Sequence, residues 1–517
     1  MTSPQDVRHA LIARHEIALL DVREEAAYAN AHPLFAANLP LSRLEVEVLD
    51  RLPRRTVPVV LYDDGEGFAA RALSRLRTLG YSNSSLLEGG LAGWRAAGYE
   101  VFRDVNSYSK AFGELVEARR HTPSLPAPEL KARLDRGDDL VILDARRFEE
   151  YATMNIPGGT SVPGAELALR APLLAPDLAT TIIVNCAGRT RSLIGAQSLI
   201  NAGLPNPIYA LRNGTIGWTL EGLDLDKGST AAAPEIDLPA LETARTRARA
   251  VAYRAGVRHI TPADLDRFIA DRGRTLYRFD VRTPAEHAAG HPRGFRNYPG
   301  GQLVQETDMA APVRGARIVL HDDLGPRADM TASWLAQMGW DVLVVTGLPN
   351  TIKGTEPVTL PPFPDAETIT PADIPAALAA GARLIDLAPS PAYRRGHIAG
   401  AVFAIRARLA ADLAVDSSAA DIILTSPGGA LARFTAAELT TPTRRVRALN
   451  GGTNAHIAAG GTLEPGNGET LSPFDDVYRR PYEGTDNPRA AMQAYLDWEY
   501  GLVDQLKQDA THGFVVI

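Results

Sequence analysis

The sequence predicts an α/β protein of four tandem small domains, each a mostly parallel sheet flanked by helices, followed by a helical tail. Three observations predict it. An apolar run ending in aspartate recurs four times. A second apolar run, leading into a glycine-containing loop and an amphipathic stretch, stands at a nearly constant distance behind each aspartate. Segments rich in proline, alanine or arginine separate the copies.

The first runs are LLDVREEAAYANAH from Leu19, VILDARRFEEYATMN from Val141, YRFDVRTPAEHAAGH from Tyr277 and LIDLAPSPAYRRGH from Leu384. Each ends in aspartate (Asp21, Asp144, Asp280, Asp386), with a ring at Tyr28, Tyr151, His287 or Tyr393 and then His32, Asn155, His291 or His397. Near-continuous apolar runs of this kind read as strands covered on both faces, as in a parallel sheet.

The copies occupy residues 1–105, 124–228, 257–352 and 367–465, and the tail 466–517. In the first, VPVVLYD ends at Asp63, and LLEGGLAGWRAAG supplies a closing strand and short helix. A boundary follows at residues 106–127, where HTPSLPAPEL contributes prolines. In the second, TTIIVNC ends at Cys186 and YALRNGTIGWTLEG closes the unit. The alanine- and arginine-rich stretch 231–256 is expected to be a surface helix. The third copy has ARIVLHD ending at Asp322, and the fourth has ADIILTS ending at Ser426. Their closing units shrink to VVTGLPN and ALNGGTN, and the proline-rich KGTEPVTLPPFPDAE lies between them. In the tail, Met492, Tyr495, Leu496, Leu502, Val503 and Leu506 recur at helical spacing with Glu499 the one polar interruption. That helix is expected to dock on a neighbouring domain, with a dimer contact as the other reading.

Hydrophobic residues make up 45% and charged residues 22%, the balance of a soluble globular protein. A net charge of −7 gives no global basic field for nucleic acid. No stretch approaches a membrane span, and charges interrupt the N-terminal segment where a signal peptide needs an apolar core, so a cytoplasmic protein is expected. The single cysteine rules out an intrachain disulfide, and the 11 histidines show no ligand spacing, so neither a metal nor another cofactor is expected.

Cys186 stands at the carboxyl end of a predicted buried strand, just before a helix, where open α/β sheets bind ligands. The intervening loop can turn its N–H groups inward, and the helix N-terminus adds positive potential, so the thiolate is expected to be favoured. Arg189 and Arg191 are placed to meet an oxyanion over the loop, and Gly188 lets the backbone turn. A lone cysteine in such a place is otherwise a small buried hydrophobe.

The segment Leu143–Arg146 with Glu150, Tyr151 and Ile156–Gly159, the loop CAGRTRS and the closing RNGTIGWTLEG together resemble the rhodanese superfamily. The resemblance implies a sulfurtransferase with Cys186 and Arg191 as catalytic residues and Ala187, Gly188, Arg189, Thr190 and Ser192 around the sulfur. Cys186 would take a sulfane sulfur from a small anionic donor such as thiosulfate as a persulfide. It would then hand it to cyanide, glutathione or a protein thiol. Asp144 and Arg146 are expected to be structural, because the pair recurs at Asp21–Arg23 and Asp280–Arg282, in copies without cysteine. The same reasoning makes His32, His291 and His397 structural. Trp94 and Trp218 read as core or rim packing, with Trp218 alternatively at the pocket mouth. Asp63, Asp322 and Ser426 cannot hold a sulfane sulfur, so those copies are expected to be inactive. Two alternatives stand: a binding or regulatory protein on the same fold, and a phosphatase or arsenate reductase, whose longer cysteine–arginine loop this sequence lacks.

Overall fold

The structure, a computed structural model, describes residues 1–415 and 420–517. In the second copy the strands run, across the sheet, Ser124–Leu125, Ile208–Leu211, Thr181–Asn185, Leu140–Asp144 and Thr160–Ser161, all parallel. The third copy repeats that order with Arg258–Ile260, Asp341–Val345, Arg317–His321, Leu276–Asp280 and Arg296–Asn297. The fourth repeats it and adds Glu469–Thr470 at one edge. In the first copy the outer edge is reduced to a bridge between Thr2 and Leu87, and strand Ile17–Asp21 pairs antiparallel with Val313–Arg314 of the third copy.

The recurring residues brace each strand end. Arg146 Nε and Nη2 donate to the two Asp144 oxygens at 2.9 and 2.7 Å, and Nη2 also reaches the Met154 carbonyl at 2.6 Å. Arg23 and Arg282 bind Asp21 and Asp280 in the same way and extend to the carbonyls of Ala31 and Gly290. Tyr28, Tyr151 and Tyr393 each donate to a carbonyl eight residues on. The rings of Tyr28–His32, His287–His291 and Tyr393–His397 stack at 3.7–4.0 Å between centroids. Trp94 and Trp218 are buried with Nε1 on the carbonyls of Glu100 and Asp224, which places Trp218 in the core.

Four segments differ from expectation. The stretch after the first copy holds a helix, Ser107–Arg120, buried continuously from Ser107 to Val116. Packing on both faces erases the amphipathic pattern, and its polar groups are paired inside: Lys110 with Asp104 at 2.7 Å, Ser109 with the Gln305 carbonyl at 2.6 Å. Helix Leu238–Arg254 buries Leu241, Ala244, Ala248 and Val251, so it bridges copies two and three and is exposed on its other side only. The fourth copy keeps a short closing helix, Gly452–Ala458. The tail forms two helices, Arg489–Tyr500 and Leu502–Asp509, meeting at Gly501. No helix among the described residues is long and apolar enough to cross a membrane.

Candidate active site

Strand Thr181–Asn185 delivers Cys186 to the sheet edge, and helix Thr190–Asn201 begins four residues later. The closing motif clamps the loop from the other side. Thr215 N donates to the Cys186 carbonyl at 2.9 Å and Ile216 N to that of Ala187 at 3.0 Å. So close an approach requires glycine at 214: its φ is +52°, and a Cβ there would collide with the Cys186 carbonyl oxygen. Gly90 and Gly452 make the same approach to Asp63 and Ser426.

The other three copies show what the loop offers. Asp322 Oδ1 accepts from the amide of Leu324 and Oδ2 from those of Arg327 and Ala328. Asp63 accepts from Gly65 and Ala69, and Ser426 Oγ from Ala432. In each, the amide six residues on points at the side chain in the cysteine position. In the second copy that amide belongs to Ser192, which approaches Cys186 through its hydroxyl and its backbone N–H. The loop is thus a nest of donors for negative charge, which Asp63 and Asp322 fill with their own carboxylates.

Neither loop arginine is unpaired. Arg191 donates twice to Glu150, at 2.8 and 2.9 Å. Burial opposes ionisation of Glu150, but Arg191, with Arg147 and Arg146, holds its carboxyl down at about 2. The third copy repeats the pair as Arg327–Glu286, although it has no sulfur carrier, so the pair braces the loop in both. Arg189 turns away toward the helix Ser107–Arg120: it binds both Glu114 oxygens at 2.8 Å, pairs with Glu117, and lies 4.0 Å over the Tyr500 ring. Thr190 packs against Gly113 of that helix, where a Cβ would come within 2.9 Å of its methyl group.

Cys186 is 2% exposed. Burial, the largest effect, pushes its thiol above the ordinary value, while Arg191 and Ser192 pull it down. Desolvation thus opposes the thiolate that the loop donors and Arg191 favour. The tail supplies the cover. Ala187 packs with Ile216, Tyr482, Met492, Tyr495 and Leu496, and a Cβ on Gly188 would stand 3.1 Å from Tyr495 and 3.2 Å from Glu499. A cavity of about 270 Å³ lies beside Arg191, bounded also by Arg147, by Gln302 and Gln305 of the third copy, and by Arg480 and Tyr482 of the tail. Sequence reasoning did not place Glu114, Gln305, Tyr482 or Glu499 at the site; Glu499 alone left a trace, as the polar break in an apolar stripe.

The family model described as Rhodanese-like domain matches residues 3–97, 126–221 and 261–347, more than half of the chain. Across its full length the chain is similar to the crystal structure of a thiosulfate sulfurtransferase from Pseudomonas aeruginosa, at 57% identity and a TM-score of 0.98, covering 99% of that chain. It is 28% identical over 211 residues to a thiosulfate sulfurtransferase of Azotobacter vinelandii, 37% of this chain and 76% of that protein. A probable 3-mercaptopyruvate sulfurtransferase of Pseudomonas aeruginosa is 36% identical over 129 residues, 24% of this chain and 44% of that protein. The chain spans about half the length of the first curated relatives it matches.

Proposed function

The chain belongs to the rhodanese family, and from that we propose that it is a sulfurtransferase in which Cys186 alone carries a sulfane sulfur as a persulfide. The observation that carries this reading is the donor nest of the second copy, which holds a thiol where Asp63 and Asp322 fill theirs with carboxylate. The full-length likeness to a thiosulfate sulfurtransferase supports it.

In the first step the Cys186 thiol loses its proton to solvent water or buffer, and the thiolate attacks the outer sulfur of thiosulfate. A new S–S bond forms, the bond to the sulfonate sulfur breaks, and its electron pair leaves on sulfite. The amides from Ala187 to Ser192 then surround an anionic persulfide. In the second step a nucleophile, cyanide or a thiolate, attacks the terminal sulfur and the electron pair returns to Cys186. Arg191 supplies positive potential while braced by Glu150, and Arg189 anchors the loop to the helix Ser107–Arg120. The cavity beside Arg191, lined by Arg147 and Arg480 together with Glu149 and Glu483, is the route by which we place the donor's approach to the loop. Oxygen nucleophiles at Asp63, Asp322 and Ser426 cannot complete the first step.

Incubation with thiosulfate, followed by intact mass before and after cyanide, tests the reading. One added sulfur, released as thiocyanate and absent from Cys186→Ser, is the expected result. No sulfur uptake, or uptake unchanged in Cys186→Ser, contradicts it.

A further inference from the structure

Glu499 is the one wholly buried carboxyl that the tail sets against the sulfur-carrying loop, and the two steps above do not use it. Its side chain is 0% exposed. Oε1 accepts from the Tyr495 hydroxyl at 2.8 Å, whereas Oε2 has no hydrogen-bond partner and lies 3.2 Å from where a Cβ of Gly188 would stand. A buried charged oxygen without a donor is costly; a protonated one is much less so.

The groups around it say which state it holds. Helix Ser107–Arg120 faces it with Lys110 and Glu114, and Glu117 and Asp104 stand behind them. The loop contributes Arg189 and Cys186. The tail contributes Tyr495, with Tyr482 across Lys110 and Tyr500 under Arg189. Lys110 is bound to Asp104 at 2.7 Å and Arg189 to Glu114 and Glu117. Both cations are thereby committed to other carboxylates, and neither makes an ion pair with Glu499. Burial first, and then the charge of Glu114, push its carboxyl up to about 8, against Lys110 and the Tyr495 hydroxyl.

We propose that Glu499 is a positioning residue for sulfur transfer: held as a neutral acid against Gly188, it keeps the tail-side wall of the Cys186 site free of negative charge. The inference rests on the proposed chemistry only in its consequence. A thiolate and a dianionic donor must meet in this closed site, and an ionised carboxylate beside them opposes both. As pH rises through about 8, Glu499 loses its proton and the wall becomes negative. Thiolate formation at Cys186 is then resisted, and sulfur uptake declines on the alkaline side.

The test is a thiolate titration of Cys186 by ultraviolet absorbance, with Cys186→Ser as the blank that removes the tyrosine signal, in the parent and in Glu499→Gln. Glutamine keeps the shape and removes the charge. The midpoint is expected to fall by about 0.5 pH or more in Glu499→Gln, and the alkaline decline of persulfide formation from thiosulfate to move upward. An unchanged or higher midpoint overturns the proposal and leaves Glu499 a packing residue. A parent that takes up no sulfur at any pH defeats the proposed function instead, while the titration still decides the role of Glu499. Thermal unfolding and near-ultraviolet circular dichroism check the fold. If Glu499→Gln does not fold, Tyr495→Phe removes the hydrogen bond that favours the ionised carboxyl. It should move the alkaline decline to higher pH, and a decline that stays in place overturns the proposal.

Discussion

Glu150 and Arg191 form a bidentate pair whose carboxyl is held far below its ordinary 4.5, at about 2, by Arg191 against the opposing effect of burial. A folded-state value below the unfolded one stabilises the fold fully above about pH 4.5, and that contribution is lost as pH falls toward 2. Glu150→Gln should therefore be less stable than the parent near neutrality by ~1.5–3 kcal/mol, the scale of a charge-assisted hydrogen bond. The difference should close by about pH 2. Urea midpoints across that range check it; a difference independent of pH denies the pair this role. Arg189 has a different part. Its charge is spent on Glu114, Glu117 and the Tyr500 ring. Arg189→Ala should accordingly loosen the helix Ser107–Arg120 and the tail, lowering the melting temperature, with little change in the apparent KM for thiosulfate. A large rise in KM at unchanged stability would make it a donor-binding residue.

Among the elements, the four strand–loop–helix units show how the cysteine position is used. Asp322 satisfies three loop amides and pairs with Arg327, which is 0% exposed. Asp63 takes two amides, and its loop carries Glu66 and Phe68 where the second copy has Arg189 and Arg191. Asp63→Cys in a Cys186→Ser background should regain little thiocyanate formation, because the nucleophile would stand in a loop with Glu66 added and without the positive potential of Arg191. Robust turnover there would show that loop charge is dispensable. The strands were legible because buried parallel strands are continuous apolar runs bounded by repeated aspartates. The loop was legible because Cys186, Gly188, Arg189 and Arg191 are neighbours in sequence. What the arginines bind was not, since Glu150 and Glu114 lie 41 and 75 residues away. Nor was the helix Ser107–Arg120, whose burial on both faces leaves no stripe to read. Burial of Cys186 pushes its thiol up against the pull of the loop donors, and the tail packs on Ala187 and Gly188 through residues hundreds of positions away; neither leaves a local mark in the sequence. The family model's matches stop short of the fourth copy, where Ala388 replaces the bracing arginine and Ser426 the nucleophile, yet the same sheet forms.

At the scale of the whole molecule the four sheets are not beads on a string. Strand Val313–Arg314 of the third copy extends the first sheet. Arg406 of the fourth copy binds Glu45 of the first, buried, and Tyr108 donates to the Met338 carbonyl at 2.6 Å. One continuous apolar cluster includes residues of copies one, three and four and of the tail. Calorimetry should consequently show one dominant unfolding transition, and well-separated transitions would mean that these contacts do not couple the copies. In this architecture the second copy is walled by the helix after the first, by Gln302 and Gln305 of the third, and by the tail. On the proposed chemistry the single cysteine of the chain is its one sulfur carrier. Intact mass after saturating thiosulfate tests that most directly: the expected result is a gain of one sulfur per chain, lost on adding cyanide and missing in Cys186→Ser. Two sulfurs per chain, or one that persists in Cys186→Ser, would contradict it.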